Sequence, residues 1–442
     1  MERSLFTPII EEGLTTLKIN YDYKSDKSYL LALKEWDDDI KWEDYNEKFY
    51  METILTSNLI CLDDTKTRKL FEKYGLLDYL NSIIELLRKG KHFGIDCFYF
   101  KKKDIRFISN MHNNTLGINN RRHAVRSGGI RRHDLDEDEY EIIIDGLNLA
   151  RGMSFKNAAA EIPYGGSKIV VQSAPVDLDD MEELGFLAYA IDRSHSFTGP
   201  DMGYPPELAD AIKERFTLNI AGGIKGIGPT GTPTAYGVYL AVKEASKFLF
   251  GTDSLKDKKI AVQGLGAVGF TLAEHYLKEG AYLFVADIDD NVVKKLIDKY
   301  PNNQIKPVKS DEIFFVDADI FSPCAIGGII TEDRIPKMKF KIIMGGANNQ
   351  LRASSQEEEY RLAKILDKHG ILFQVAWWHN VGGVLAGWEE YENQENASLS
   401  HIIPKIERIC TIKTRENLKR AKNKNITPTE SAYKSVEELI YR

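Results

Sequence analysis

The run Gly264-Leu265-Gly266-Ala267-Val268-Gly269 sets three glycines where a short apolar strand, Lys259 to Val262, gives way to a helix from about Val268 to Glu279. That spacing suits a phosphate cradle. The first glycine permits a tight turn, the second lets a pyrophosphate approach the backbone, and the third lets the helix pack on the strand. The helix N-terminus adds unpaired N–H groups and a positive dipole end. Asp287 follows the next strand, Tyr282 to Ala286. A carboxylate there accepts hydrogen bonds from ribose hydroxyls and repels a 2′-phosphate, which favours NAD over NADP. Asp289 and Asp290 reinforce that preference. The alternatives are an ordinary tight turn with a structural aspartate, or a turn serving flavin or another nucleotide.

Two lysines form the second constellation. Lys156 and Lys168 lie in a stretch running from Arg151 to Lys168, and either alone reads as a surface residue. Lys168, however, follows Gly165-Gly166 and precedes the apolar Ile169-Val170-Val171. A cation at the edge of a buried strand, beside a glycine backbone, suggests ligand contact.

The elements that must position these groups alternate. Beyond Lys259 the strands and helices follow one another: Tyr282 to Ala286, a helix over Asn291 to Lys299, then apolar runs at Asp319 to Phe321, Ile342 to Met344 and Ile371 to Val375. This predicts a largely parallel sheet covered on both faces. Upstream, a helix begins with acidic residues near Asp134 and is expected to end near Gly152, and another spans Thr234 to Phe250, closed by Gly251. Leu70 to Leu87 carries amphipathic helical spacing. The acidic segment Trp36 to Tyr45 reads as a surface helix or a loop packed on a neighbour. Leu399 to Arg442 reads as helical, with an N-cap near Thr427.

A length of 442 residues implies two or three domains. The hydrophobic share of 43% and charged share of 28% are those of a globular protein. A net charge of -7 argues against nucleic acid as a partner. The basic clusters Lys101–Lys103 and Arg121, Arg122, Arg126, Arg131, Arg132 read as a solvated face or a phosphate contact. No apolar stretch is long enough to span a bilayer, so no membrane role is expected. Cys61, Cys97, Cys324 and Cys410 lack the spacing of a zinc site or a disulfide framework. No metal is therefore expected, and a reducing, cytoplasmic setting is.

From about Asn113 onward the chain resembles the glutamate, leucine, phenylalanine and valine dehydrogenase family, most of all its leucine and phenylalanine branch. The resemblance rests on Gly128-Gly129-Ile130-Arg131, the two-lysine stretch, Thr198-Gly199-Pro200-Asp201, Thr234-Ala235-Tyr236-Gly237-Val238 and the Gly264 turn. Ser322-Pro323-Cys324-Ala325, Gly346-Ala347-Asn348-Asn349-Gln350 and Asn380-Val381-Gly382-Gly383 complete it, in the family's order.

The resemblance implies an NAD-dependent oxidative deamination of an aromatic or branched apolar L-amino acid to its 2-oxo acid. Lys156 would hold the substrate carboxylate. Lys168 would activate a water to attack the imino carbon, its pKa depressed by burial and by a second ammonium nearby. Asp201 would exchange a proton with the substrate nitrogen. Gly128, Gly129, Met153 and Asn349 are further implied at the substrate. Thr234, Ala267, Val268 and Ile288 are implied at the cofactor, as are Cys324, Ala325, Ala347, Asn348 and Asn380. Pocket positions carried over from leucine-specific relatives are Ser127, Gly199, Val384 and Gly387. Small residues at Ser127, Gly199 and Gly387 would open the pocket toward an aromatic side chain, and Trp377, Trp378 and Trp388 would line it or close the core.

Glu161 stands where the family usually has glycine, and Ser167 replaces a glycine just before Lys168. The segment around Trp377-Trp378-His379 also departs, with His379 read as structural. The architecture expected is α/β with two domains: a substrate and oligomerisation domain over 1–230, whose first 75 residues have no family match, and a Rossmann-like NAD domain over 231–374. A cleft is expected between them, with helices 375–442 returning to the substrate domain and a homo-oligomeric assembly. Two other readings are carried: a reductive aminase for a non-standard 2-oxo acid, and a non-catalytic NAD-binding regulatory protein.

Overall fold

In strand Gly94–Phe100 every residue is buried, and alternate side chains serve opposite faces. Ile95, Cys97 and Tyr99 join one apolar cluster, while Phe98 and Phe100 join another. The computed structural model, which describes residues 3–46, 56–114, 116, 124–228, 230–302, 304–353 and 355–441, builds its first sheet around this two-faced strand. The chain divides into two units, residues 1–228 with 390–395, and residues 229–389 with 396–442.

In the first unit the strands are β1 (Thr16–Asp22), β2 (Lys27–Lys34), β3 (Ile60–Leu62), β4 (Gly94–Phe100), β5 (Ile105–Met111), β6 (Arg126–Ser127), β7 (Ile130–His133), β8 (Gly165–Gln172) and β9 (Ser196–Phe197). Their order is β3-β2-β1-β4-β5-β8-β6-β9, with β7 also paired to β8. Pairing is antiparallel from β3 through β8, while β6 and β7 run parallel to β8.

One face of this sheet is covered by the helices Leu77–Gly90 and Glu139–Ala159, through Leu80, Ile83, Leu87, Ile142, Ile143 and Leu147. The other face holds an aromatic cluster around Trp36, Trp42, Phe186 and Tyr189. The acidic segment Trp36 to Tyr45 is therefore a packed loop. It buries Trp36, Trp42 and Tyr45 and leaves its carboxylates outward. Leu70 to Leu87 is two helices, Asp64–Lys73 and Leu77–Gly90, parted at Gly75.

The helix starting at Glu139 does not stop near Gly152. Asp138 caps it by accepting the Glu141 N–H, and it runs on to Ala159, so Lys156 sits in its last turn. Gly152 is an exposed interior residue that costs helix propensity, about 1 kcal/mol. Burial of Ala150, Ser154 and Phe155 on either side outweighs it. The helix ends with Glu161 at a φ of 54°, the left-handed position helices commonly reserve for glycine. There the Ile162 N–H reaches the Asn157 carbonyl at 2.9 Å.

In the second unit the strands are β10 (Lys259–Gln263), β11 (Tyr282–Ala286), β12 (Ile305–Pro307), β13 (Ile320–Pro323), β14 (Ile342–Ile343) and β15 (Leu372–Phe373). All pair in parallel, in the order β12-β11-β10-β13-β14-β15. This is the doubly wound order of dinucleotide-binding sheets, with its reversal between β10 and β13. The Gly231–Phe250 helix ends at Gly251, φ 80°. Thr427 caps the Pro428–Ile440 helix by accepting the Glu430 N–H at 3.1 Å.

The C-terminal helices differ from expectation. Of residues 375–442, only 390–395 group with the first unit. Trp377 is buried edge-on to Tyr433 of the last helix at 5.0 Å, which holds the C-terminal layer within the second unit. Trp377 and Trp378 thus close a core.

Candidate functional site

In the first unit, β7 lies alongside β8 with Arg131 opposite Val170. Ile130 and Ile169 join the aromatic cluster, whereas Val170 joins the cluster under the Glu139–Ala159 helix. Period-two alternation sends Lys168 and Arg131 to the helix side as well. On that helix Asp145, Leu149, Met153 and Lys156 recur at spacings of four, four and three, forming one half-buried stripe.

Asp201 follows β9 and is fixed by its backbone: its N–H donates to the Ile130 carbonyl at 3.0 Å. The buried Lys168 ammonium donates to the Asp201 carboxylate. Arg131 Nε donates to the same carboxylate oxygen at 2.9 Å, while its Nη1 donates to Asp145 at 2.9 Å. Burial lowers the Lys168 pKa below the ordinary lysine value; Asp201 opposes this and Arg131 adds to it. The cation that pushes on Lys168 is therefore the Arg131 guanidinium, in place of the second ammonium expected. Burial alone would raise Asp201, but Lys168 and Arg131 outweigh it and pull the carboxyl down to about 2. Lys156 is pushed down to about 8 by burial.

Backbone approach shapes the same place. A Cβ at Gly128 would fall 1.9 Å from the Ser167 carbonyl oxygen, and one at Gly129 would fall 2.8 Å from Lys168 Nζ. Ser127 is buried and accepts from Asn157 Nδ2 at 2.7 Å, and the Gly199 carbonyl accepts the Ile130 N–H at 2.9 Å. The basic segment is not a solvated face: Arg126 is buried, donating to the Ser194 carbonyl at 2.7 Å, and Arg131 is in the ion-pair network. Arg121 and Arg122 lie outside the described residues. Sequence reasoning placed Arg131 in a solvated face or a phosphate contact, and missed Asp145. The signal for both was positional, an arginine two residues after Gly129 on a strand and an aspartate on the lysine-bearing helix stripe.

In the second unit the glycine turn sits at the C-terminal end of β10. Gly264 has a φ of 85° and donates its N–H to the Ala286 carbonyl at 2.8 Å. Gly266 caps the Ala267–Lys278 helix, and a Cβ there would meet nothing within 4 Å. A Cβ at Gly269 would lie 1.8 Å from the Gly264 carbonyl oxygen, so the helix is packed on the turn itself. Asp287 accepts the Leu265 N–H at 2.5 Å and the Asp289 N–H at 3.0 Å, and Ile288 beside it is 97% exposed. Val268 belongs to the first turn of the helix.

Ala325 approaches Gly264, and the Cys324 N–H donates to the Gln263 carbonyl at 2.7 Å. The Gly346 N–H reaches Cys324 Sγ at 3.4 Å, and the Ala347 N–H reaches the Pro323 carbonyl at 3.0 Å. Asn380 Nδ2 donates to Asn348 at 2.8 Å, and Asn349 takes a φ of 47°. Thr234 Oγ1 donates to the Thr230 carbonyl at 2.8 Å and neighbours Gly383. Val384 and Gly387 share a half-buried face of the Gly382–Asn393 helix, open at Gly387. His379 is buried against the Gly345 carbonyl and Gln374, a structural position.

A buried lysine paired with a loop aspartate in one α/β unit, and a glycine turn at the switch point of a parallel sheet in the other, are the chemistry-bearing features of the two units. Residues 283–438 match the Glutamate/Leucine/Phenylalanine/Valine dehydrogenase family, and residues 112–207 match the Glu/Leu/Phe/Val dehydrogenase dimerisation domain. The chain is 35% identical to a phenylalanine dehydrogenase of Caldalkalibacillus thermarum, over 76% of this chain and 88% of that one. It is also 35% identical to a leucine dehydrogenase of Geobacillus stearothermophilus, over 72% and 84%. The crystal structure of L-tryptophan dehydrogenase from Nostoc punctiforme is similar in fold, with a TM-score of 0.67 and 28% identity, covering 81% of this chain and 98% of that one. This chain belongs to the Glu/Leu/Phe/Val dehydrogenase family, amino acid dehydrogenases acting on CH–NH2 groups.

Proposed function

We propose that this chain oxidatively deaminates an apolar L-amino acid to its 2-oxo acid and ammonium, reversibly, with NAD as the acceptor. The observation that carries this reading is the buried Lys168 ammonium bonded to Asp201 beside Gly129. Relatives named for phenylalanine, leucine and tryptophan support an apolar substrate.

In this reading Lys156 binds the substrate carboxylate as a cation. Lys168, eased toward its neutral form by burial, takes a proton from the water that attacks the imino carbon. Asp201, ionised through its two cationic partners, exchanges a proton with the substrate nitrogen. NAD bound at the Gly264 turn would supply the hydride acceptor for the substrate α-carbon. The open position at Gly266, at a helix N-terminus, suits a pyrophosphate, and the Asp287 carboxylate suits an unphosphorylated ribose. Small residues at Ser127 and Gly199 in the first unit favour an aromatic side chain first and a branched aliphatic one second. The match to a dimerisation domain supports assembly of copies through the first unit, and a cytoplasmic setting goes with this reading.

The test is NADH formation with NAD and each standard L-amino acid at mildly alkaline pH. Strong turnover with phenylalanine, tryptophan or a branched aliphatic substrate supports the proposal and names the substrate. Silence with all of them, alongside NAD binding, overturns it in favour of a regulatory NAD-binding protein or an aminase for a non-standard 2-oxo acid.

A further inference from the structure

We infer that Arg131 is a positioning residue, tying Asp201 to Asp145 so that the carboxylate stays aimed at the Lys168 ammonium. The inference rests on the proposed amino acid dehydrogenase chemistry and concerns how its acid-base pair is held.

The geometry is a chain of four side chains on three elements and a loop. Lys168 is on β8, Arg131 on its neighbour β7, and Asp145 on the helix that covers both. Asp201 comes from the loop after β9 and is half-buried, with 36% of its side chain exposed. A carboxylate on a loop has rotamer freedom that a strand-borne lysine cannot remove alone. Arg131 removes it by using two different nitrogens at once, Nε on Asp201 and Nη1 on Asp145, both at 2.9 Å. The guanidinium fork is rigid, so anchoring one end on the helix fixes the direction of the other. A lysine at 131 would keep the charge and lose this bridge.

Arg131 also serves the cycle. When Lys168 gives up its proton, Asp201 loses one of its two cations, and Arg131 remains to keep the carboxylate ionised and in place. Arg131 thereby separates two tasks that one ion pair cannot perform together, releasing a proton and holding a geometry.

The experiment compares Arg131→Met, Arg131→Lys and Asp145→Asn with the wild-type protein in two assays. One is steady-state kcat and KM with the preferred amino acid. The other is competitive acetylation of Lys168 across a pH series, read by mass spectrometry, which needs no turnover. Misaiming of a catalytic group costs on the order of 100-fold, so Arg131→Met is expected to lose about that much kcat with a much smaller change in KM. Its Lys168 labelling midpoint is expected to move to lower pH, because Asp201, which raises the lysine more than Arg131 lowers it, is no longer held against the ammonium. Arg131→Lys, which keeps the charge without the bridge, leaves the midpoint low and recovers only part of kcat, and Asp145→Asn lowers kcat by less than Arg131→Met does. Wild-type kcat in Arg131→Met overturns the inference. So does a loss of kcat with the Lys168 midpoint unmoved, which marks a merely structural role. If the wild-type protein oxidises no amino acid, the functional proposal fails, and the labelling series still decides the role of Arg131.

Discussion

Lys168 owes its place to the absence of a side chain at residue 129: a Cβ on Gly129 would lie 2.8 Å from Lys168 Nζ. The same Cβ would come 3.5 Å from the Asp201 Cβ, an ordinary contact, so the added methyl presses on the ammonium end of the ion pair. Gly129→Ala is therefore expected to lower kcat by about 100-fold through displaced alignment. Circular dichroism should still report a folded chain. Full activity in a folded Gly129→Ala protein would show that the ammonium has room to spare.

Lys168→Ala is expected to abolish turnover and leave dinucleotide binding intact, because the glycine turn belongs to a separate unit with its own sheet. Quenching of protein fluorescence by NADH measures the binding and steady-state assay the turnover. Unchanged turnover would remove Lys168 from the chemistry.

Asp287 serves its own turn by accepting the Leu265 and Asp289 N–H groups. Replacing it with alanine would disturb that turn along with any ribose contact. Asp287→Asn keeps an acceptor and deletes the charge. Like-charge repulsion is worth several kcal/mol, so the ratio of kcat/KM for NAD over NADP is expected to fall by at least about tenfold. An unchanged ratio means that the 2′-position of the ribose is read elsewhere.

Glu161 bears a Cβ at a φ of 54°, a backbone conformation that costs a non-glycine residue about 1–2 kcal/mol. Glycine relieves this strain but has more freedom to lose on folding, so Glu161→Gly is expected to stabilise the protein by about 0.5–1 kcal/mol. Glu161→Ala, which keeps the strain, should not. Urea denaturation separates the two variants, and equal midpoints would place no strain at this position.

Strands β10, β11, β13, β14 and β15 of the second sheet were legible because each is short and apolar in a chain where strands alternate with helices, a pattern that local propensity and tertiary structure both favour, whereas β12, Ile305-Lys306-Pro307, is mostly exposed and carries no such signal. The Gly264 turn and its aspartate were legible for the same reason. The first sheet was not. Strand β1 pairs with β4 through residues far apart in sequence, such as Thr16 and Phe98, and β4 is buried on both faces, so no alternation marks it. The early end assigned to the helix at Gly152 trusted propensity where packing of its flanks decides. Lys168 stood out from its glycine and apolar neighbours, its catalytic role and Asp201 came through resemblance, and their contact follows from strand pairing that no local pattern reveals. Arg131 hid inside a basic segment that composition alone assigns to solvent.

Residues 390–395 belong to the first unit, although about 160 residues of the second precede them. Tyr391 stacks on Phe197 with ring centroids 4.4 Å apart, and Glu390 accepts from Lys213 and the Gly222 N–H. On the ribosome, the first unit therefore emerges lacking a piece of its own core. At roughly 5–20 residues per second, Phe197 waits about 8–30 seconds after Gly228 is made before Tyr391 exists. The two units cannot finish folding strictly one after the other during synthesis: the N-terminal unit is completed only once the larger part of its successor, residues 229–389, has been translated.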